Sequence, residues 1–301
     1  MTPLSYTAQE LIQQVINALS LGSTYALLAL GLAMVFSILG LINFAHGELL
    51  TIGGYTMWYL LDRDVPWPAV VPATLAATML AAVAMERVAF RPLRGAGLVT
   101  LLITSFAVSF FLQTVFQIGI DTAPKGIELP EWVDRVLHVG PYTISLLKLL
   151  TFGVTIAALV ALTVFLKRTL LGVSMRAAAE DFQVVRLMGV RANAVVVGAF
   201  AVSGLLAGMA ALLYFAQSAS VGPTDGTVPV VKAFIAVVIG GLGSLTGAVV
   251  GGFALGITEV MLDATLPEGA QQFVDAFALM VVIAILLLRP QGLVGRRAGL
   301  A

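Results

Sequence analysis

Long apolar runs separated by short polar segments make up almost the whole chain. Nine runs stand out: Leu11–Leu41, Gly47–Leu61, Pro68–Glu86, Val99–Ile120, Thr143–Leu166, Asn193–Gln217, Val228–Leu245, Ala248–Leu262 and Gln271–Leu288. A helix needs roughly 20 mostly apolar residues to cross a bilayer, and lipid leaves an open chain no other way to satisfy its backbone. The pattern predicts an all-α fold, a polytopic transmembrane helix bundle of about eight to ten spans, forming a single domain over residues 1–301. The second and eighth runs are short for a full crossing. The first is long enough for a surface helix plus a span, or for two shorter spans.

Two segments outside the runs have a pattern of their own. Asp121–Gly140 contains Pro124, Gly126 and Pro130, and its apolar stretch Trp132-Val133 and Val136-Leu137 suggests a short helix lying on the membrane surface. Leu170–Arg191 reads as one amphipathic helix. Ala179, Phe182, Val185 and Met188 recur at intervals of three, Glu180, Asp181, Gln183 and Arg186 face elsewhere, and Gly189 is placed to end the helix as a C-cap.

Composition narrows the class. Hydrophobic residues make up 59% of the 301, charged residues 11%, and the mean hydropathy is +1.02. Soluble domains carry about 45–50% apolar and about 25% charged residues, so there is too little charge here to coat a water-facing surface. The absence of cysteine excludes a disulfide framework and a thiolate metal site. A net charge of zero argues against nucleic acid as a partner. The start, Met1–Ser5, lacks the basic region of a cleavable signal peptide, so the first run is expected to stay as a span.

Charge placement orients the runs. Arg87, Arg91 and Arg94, then Lys167, Arg168, Arg176, Arg186 and Arg191, then Arg289, Arg296 and Arg297 hold most of the basic residues, against Glu86, Glu180 and Asp181. The other loops hold Asp62, Asp64, Asp121, Glu128, Glu131, Asp134, Asp225, Asp263, Glu268 and Asp275, with Arg63, Lys125 and Arg135. By the positive-inside rule the first set is cytoplasmic. The C-terminus is then inside and the N-terminus outside, and residues 167–192 form a cytoplasmic segment.

Enzyme signatures are missing. The glycine-rich run Gly240-Gly241-Leu242-Gly243-Ser244 lacks the lysine of a phosphate loop, and no H-E-x-x-H occurs. His46 and His138 belong to different parts of the chain, and His46 and Glu48 would project about 200° apart on a helix, so no metal site is expected from them. The segment Asn43–Glu48 has two readings. One is a cytoplasmic turn, with Asn43 capping and Glu48 near the next helix's positive end; the other is a broken helix lining a transport path. The stretch Gly240–Gly252 serves either close helix packing or a hinge or pore-lining element. Lys232, Glu48 and Glu259 are the ionisable residues closest to the spans.

Three motifs resemble one family. Ser20–Leu32 with Gly40–Glu48, the segment Arg176–Gly189, and Ala233–Ser244 together resemble the branched-chain amino acid ABC transporter permease family of the LivH type, in order along nearly the whole chain. The resemblance implies import of leucine, isoleucine, valine or similar amino acids across the bacterial inner membrane, with no cofactor of its own. It implies a second related permease subunit, two cytoplasmic ATPases that bind the ATP, and an extracytoplasmic solute-binding protein. Asn43, Phe44, His46, Gly47, Glu48, Gly240, Gly241 and Gly243 are then candidates for the substrate path. Ala179, Glu180, Asp181, Phe182, Leu187, Met188 and Gly189 become candidates for ATPase coupling. Related permeases serve urea and short amides with Asn-Met in place of Asn43-Phe44, so Phe44 leans towards amino acids. An ion-coupled secondary transporter is a further alternative, but it would ordinarily need more intramembrane carboxylates or histidines. An intramembrane enzyme would need a nucleophile with a partner.

Overall fold

The structure, a computed structural model, describes residues 8–294 apart from Glu131, Asp134, Gly140, Pro141 and Glu268. The charges at those acidic positions, at Arg296 and Arg297, and the start at Met1–Ser5 lie outside the described residues. Among the described residues eleven α-helices follow in chain order: α1 (Ala8–Leu39), α2 (His46–Leu61), α3 (Trp67–Met85), α4 (Leu98–Gly119), α5 (Leu146–Arg168), α6 (Leu170–Glu180), α7 (Phe182–Leu187), α8 (Ala192–Ser218), α9 (Thr227–Gly240), α10 (Leu245–Thr265) and α11 (Val274–Leu288). Each of the nine apolar runs corresponds to one of them. Among the described residues seven helices are long and apolar enough to cross a membrane: α1, α3 with its continuation to Leu93, α4, α5, α8, α10, and α11 with its lead-in from Gln271. The other two runs are short of a full crossing, α2 with 16 residues and α9 with 14.

Three local expectations are corrected. The eighth run is not short, since α10 has 21 residues, and the seventh is the short one because Gly241, at φ +107°, ends α9. Val136-Leu137 belongs to a strand rather than a surface helix: β2 (Val136–Val139) pairs antiparallel with β3 (Tyr142–Ser145). Val136 on one strand and Ile144 on the other are β-branched residues that suit a pleated pair. A second short antiparallel pair joins Lys125–Gly126 to Ser220–Val221.

The single amphipathic helix is in fact two. Asp181 is extended (φ −150°, ψ 102°) and stops α6, and its Oδ1 accepts the N–H groups of Gln183 and Val184, both at 2.9 Å, so it also caps α7. The buried stripe is Gly172, Met175, Ala178 and Val185, whereas Ala179 and Met188 are exposed. Gly189 ends α7 as expected, at φ +81°.

α1 is the axis of the bundle. Over residues 22–35 it is buried on all sides, with Leu27, Leu28 and Leu30 inaccessible, and it packs against α10, α8, α9 and α5. α3 lies on α8 and α2. α4, α5 and α11 sit at the rim and expose Phe110, Phe111, Val160 and Leu287, the outward apolar surface that lipid requires. The helices alternate so that Arg87, Arg91, Arg94, Lys167, Arg168, Arg176, Arg186 and Arg191 gather at one end. That basic end also holds the α9–α10 turn, and the opposite, acidic end holds the two strand pairs.

Candidate functional site

The chain breaks between α1 and α2 inside the bundle rather than at its surface. Gly40, at φ +65°, turns the backbone after α1, and buried Leu41, Asn43 and Ala45 lead to the start of α2. The height of that start can be read from α4. Glu48 Oε1 accepts hydrogen bonds from Ser109 Oγ and Gln113 Nε2, both at 2.8 Å. At 1.5 Å per residue Ser109 lies about 16 Å along α4, near its middle. The turn reading of Asn43–Glu48 therefore gives way to a helix start at mid-bundle.

Two helix starts meet there. Gln113 Nε2 also lies 3.1 Å from Thr227 Oγ1, at the first residue of α9. The Gly47 and Gly226 backbones touch: a Cβ on either would overlap the carbonyl of the other, and one on Gly47 would fall 2.9 Å from Val230 Cγ1. The Glu48 carboxylate, in the first turn of α2, faces that helix's positive end, which favours a negative group. It is fully buried, with no cationic partner among the described residues.

The neighbouring residues complete the break. Phe44 donates its N–H to Ser105 Oγ (3.3 Å), and its ring stacks on Phe106 at 4.5 Å and tilts against Phe234 at 5.5 Å. Asn43 makes no side-chain cap; its Nδ2 reaches Met85 Sδ at 4.0 Å while its carbonyl accepts the His46 N–H. The His46 ring packs on Gly31, and Nδ1 lies 3.2 Å from Ser203 Oγ. That Ser–His pair has no third member, since His46 Nε2 meets no hydrogen-bond partner among the described residues. Asn43 Oδ1 and Glu48 Oε2 are likewise buried without one. Among the described residues no group of His, Asp and Glu could hold a metal ion.

The other candidates gather at the basic end. Gly240 packs directly on the Gly247 backbone, which holds α9 against α10, while Gly241 and Gly243 form the turn. About 20 Å of α9, at 1.5 Å per residue, separates them from Gly47. The structure instead brings Gly243 beside the 167–192 segment: Gly243, Ala179, Glu180 and Arg176 line one cavity of about 350 Å³ with Met34 and Ser37 of α1. Phe182 lines another, of about 740 Å³, with Arg94, Arg186 and Arg191. Leu187 is 87% exposed and Met188 78%. Beside them, buried Glu86 pairs with Arg94 where α3 continues through a π-helical turn, Glu86–Phe90, and Arg94 also reaches Asn193 at the start of α8.

Several residues of these sites had no part in the sequence-based expectation. Ser105, Ser109 and Gln113 recur every four residues in the apolar run of α4, a polar stripe that marks an inward face and was legible. Ser203, 157 positions from His46, carried no such signal. Lys232 and Glu259, which the sequence did single out as ionisable residues near the spans, pair with each other, Nζ to Oε2 at 2.9 Å, across α9 and α10.

The order of these parts along the chain has known counterparts. A family model described as "Branched-chain amino acid transport system / permease component" matches residues 14–287. The chain belongs to that permease family. It is 37% identical over 298 residues to the high-affinity branched-chain amino acid transport system permease protein BraD of Pseudomonas aeruginosa, covering 95% of this chain and 96% of that protein. Identity to the permease LivH of Escherichia coli K12 is 33% over 299 residues, with the same coverage. The ribose import permease RbsC of Haemophilus influenzae is 25% identical over 282 residues, 91% of this chain and 84% of that protein. No solved structure matches the chain. The permease is thus a multi-pass inner-membrane protein of the ABC importer type.

Proposed function

We propose that this permease carries branched-chain amino acids inward through its bundle, driven by ATP that separate subunits hydrolyse. The observation that carries the reading is the α6–α7 platform. It is anchored on the bundle by Met175, Ala178 and Val185, capped at Asp181, and presents Leu187 and Met188 outward among arginines. Large apolar side chains exposed on a charged surface mark a protein contact. The chain's own sequence has no phosphate loop, so the energy source must dock, and this platform, next to the Gly243 turn, is where we place the ATPase. Relatives named for branched-chain amino acid transport support the solute.

The basic end is cytoplasmic in this reading, with the N-terminus outside. A second, related permease completes the membrane unit, two ATPases bind the cytoplasmic face, and a solute-binding protein meets the acidic end around 121–140 and Pro223–Asp225. ATP-driven displacement of the platform rocks the bundle, and the abutting starts of α2 and α9 part or close. A mild-detergent pull-down of the tagged chain, co-expressed with its neighbouring genes, tests this. ATPase subunits should come with it, and the reconstituted complex should take up labelled leucine only with ATP. A chain that stays alone yet transports in liposomes without ATP would overturn the reading in favour of an ion-coupled carrier.

A further inference from the structure

Away from the polar break, the acidic half of the bundle holds a second group of charges. Lys232 of α9 reaches Glu259 of α10 at 2.9 Å and Asp275 of α11 at 3.0 Å, and Tyr25 of α1 donates its hydroxyl hydrogen to Glu259 Oε2 at 2.7 Å. Glu259 and Tyr25 are buried, Lys232 is partly so, and the Asp275 side chain is 68% exposed. All three charged groups line a cavity of about 210 Å³ whose remaining wall is almost entirely apolar, including Val228, Val231 and Leu279.

Packing alone does not call for this arrangement. Buried ion pairs are often no more stabilising than apolar residues of the same volume, and an ion pair with an exposed partner adds little. Ionisable groups within membrane spans mark solute pathways by default. A ligand pocket is ordinarily an apolar cavity with a few convergent polar groups, and this cavity has that form. One cation and two carboxylates leave a net negative charge, with Glu259 already served by both Lys232 and Tyr25. Asp275 is the surplus group at the mouth.

We infer that this cavity is a binding subsite for the zwitterionic head of an aliphatic amino acid. The inference rests on the import reading above. The α-carboxylate takes the place of Asp275 on Lys232, and the α-ammonium pairs with the released Asp275. One ion pair is replaced by two, no net charge is added, and the side chain lies along Val228, Val231 and Leu279. An amine lacking the carboxylate cannot displace Asp275 from Lys232 and gains only the attraction of the net negative charge, so it binds more weakly than the zwitterion.

The natural absence of cysteine provides the test. Val231→Cys, with Leu279→Cys as a second variant in case the first does not fold, places one thiol in the chain at the cavity wall. The full complex, in nanodiscs, is treated with a positively charged, membrane-impermeant methanethiosulfonate, and labelling of this chain is followed. Leucine should slow labelling about tenfold, and leucinamide should do so less; adding Lys232→Met should abolish the protection by leucine. A thiol that never reacts, showing that the cavity faces lipid, would overturn the inference. So would labelling that leucine leaves unchanged, or equal protection by leucinamide. ATP-driven leucine uptake by the unsubstituted complex, measured alongside, separates failure of this subsite from failure of the import reading.

Discussion

Gly47 is the position where the geometry of the break can be tested most directly. A methyl group there would overlap the Gly226 carbonyl oxygen and sit 3.0 Å from its carbon and 2.9 Å from Val230 Cγ1. Two of those three neighbours are backbone of the opposing segment and cannot swing aside as a side chain could. Overpacking costs typically about 1–3 kcal/mol, and rigid neighbours put Gly47→Ala near the upper figure. Against that stands the gain of about 1 kcal/mol for replacing glycine with alanine in a helix. The net loss is about 2 kcal/mol, roughly a thirtyfold shift towards the unfolded state, and about 4 °C in Tm for a chain of this length. Gly153 is the control: it lies on the exposed face of α5 with nothing within 4 Å of an added Cβ. Gly153→Ala should therefore gain about 1 kcal/mol and raise Tm by about 2 °C. Thermal unfolding of both variants in the same detergent gives shifts of opposite sign, and leucine uptake should fall in Gly47→Ala alone. A Gly47→Ala protein as stable as Gly153→Ala would refute the close contact between the starts of α2 and α9.

Three further outcomes follow from the ends of the bundle. Arg94→Ala leaves Glu86 fully buried without its cation and should cost about 3–5 kcal/mol, whereas Glu86→Ala leaves an arginine that water can reach and should cost less; thermal unfolding of the two variants reads the asymmetry. Leu187→Ala with Met188→Ala removes only exposed side chains, so Tm should hold, stability changing by no more than about 0.5 kcal/mol. Co-purified ATPase should drop about tenfold with the loss of an apolar anchor, and unchanged recovery would remove the platform from the docking assignment. At the acidic end, the hydrogen bond from Lys125 holds the Asp121 carboxyl below its ordinary 3.8. Its contribution to loop order is present above that value and is lost as pH falls through the lower folded-state value. Carboxyl titration by NMR should find Asp121 returned towards 3.8 in Lys125→Gln.

How far the pattern of residues foretold the fold depended on what each solvent demands. Nine apolar runs became nine helices because lipid accepts nothing else from an open chain. The pattern could not say which face of each helix is inward, since bundle interior and lipid are both apolar; only polar residues inside a run reveal it. Ser105, Ser109 and Gln113 do so on α4, at the spacing that puts them on one face, and Lys232 and Glu259 do so on α9 and α10. The amphipathic segment failed for a different reason. A periodic pattern was carried across Asp181, yet a residue that can cap the next helix competes with continuation of the previous one. Glu48 was recognised as informative, but its partners lie 61 and 65 positions away, and nothing local ties them to it.

The two glycine clusters, which looked alike as sequence, do different things at the two ends of one short helix. At the acidic-facing start of α9, Gly226 allows backbone contact with Gly47 beside the Glu48 carboxylate; at the other end, Gly240 locks α9 onto Gly247 and Gly241 stops it. The chain beyond α11 adds to that lock, since Leu293 donates its N–H to the Ile239 carbonyl and Val294 to that of Gly240. The adjoining Gly243 shares a cavity wall with Ala179 and Glu180. α9 is thus a rod about 20 Å long, fixed at one end beside the 167–192 platform and resting at the other on the break. A packed helix does not compress, so a displacement of the α9–α10 turn has to reappear at Gly226. The weak point is there, where two backbones touch without a hydrogen bond between them, held by one carboxylate and one amide that can exchange partners.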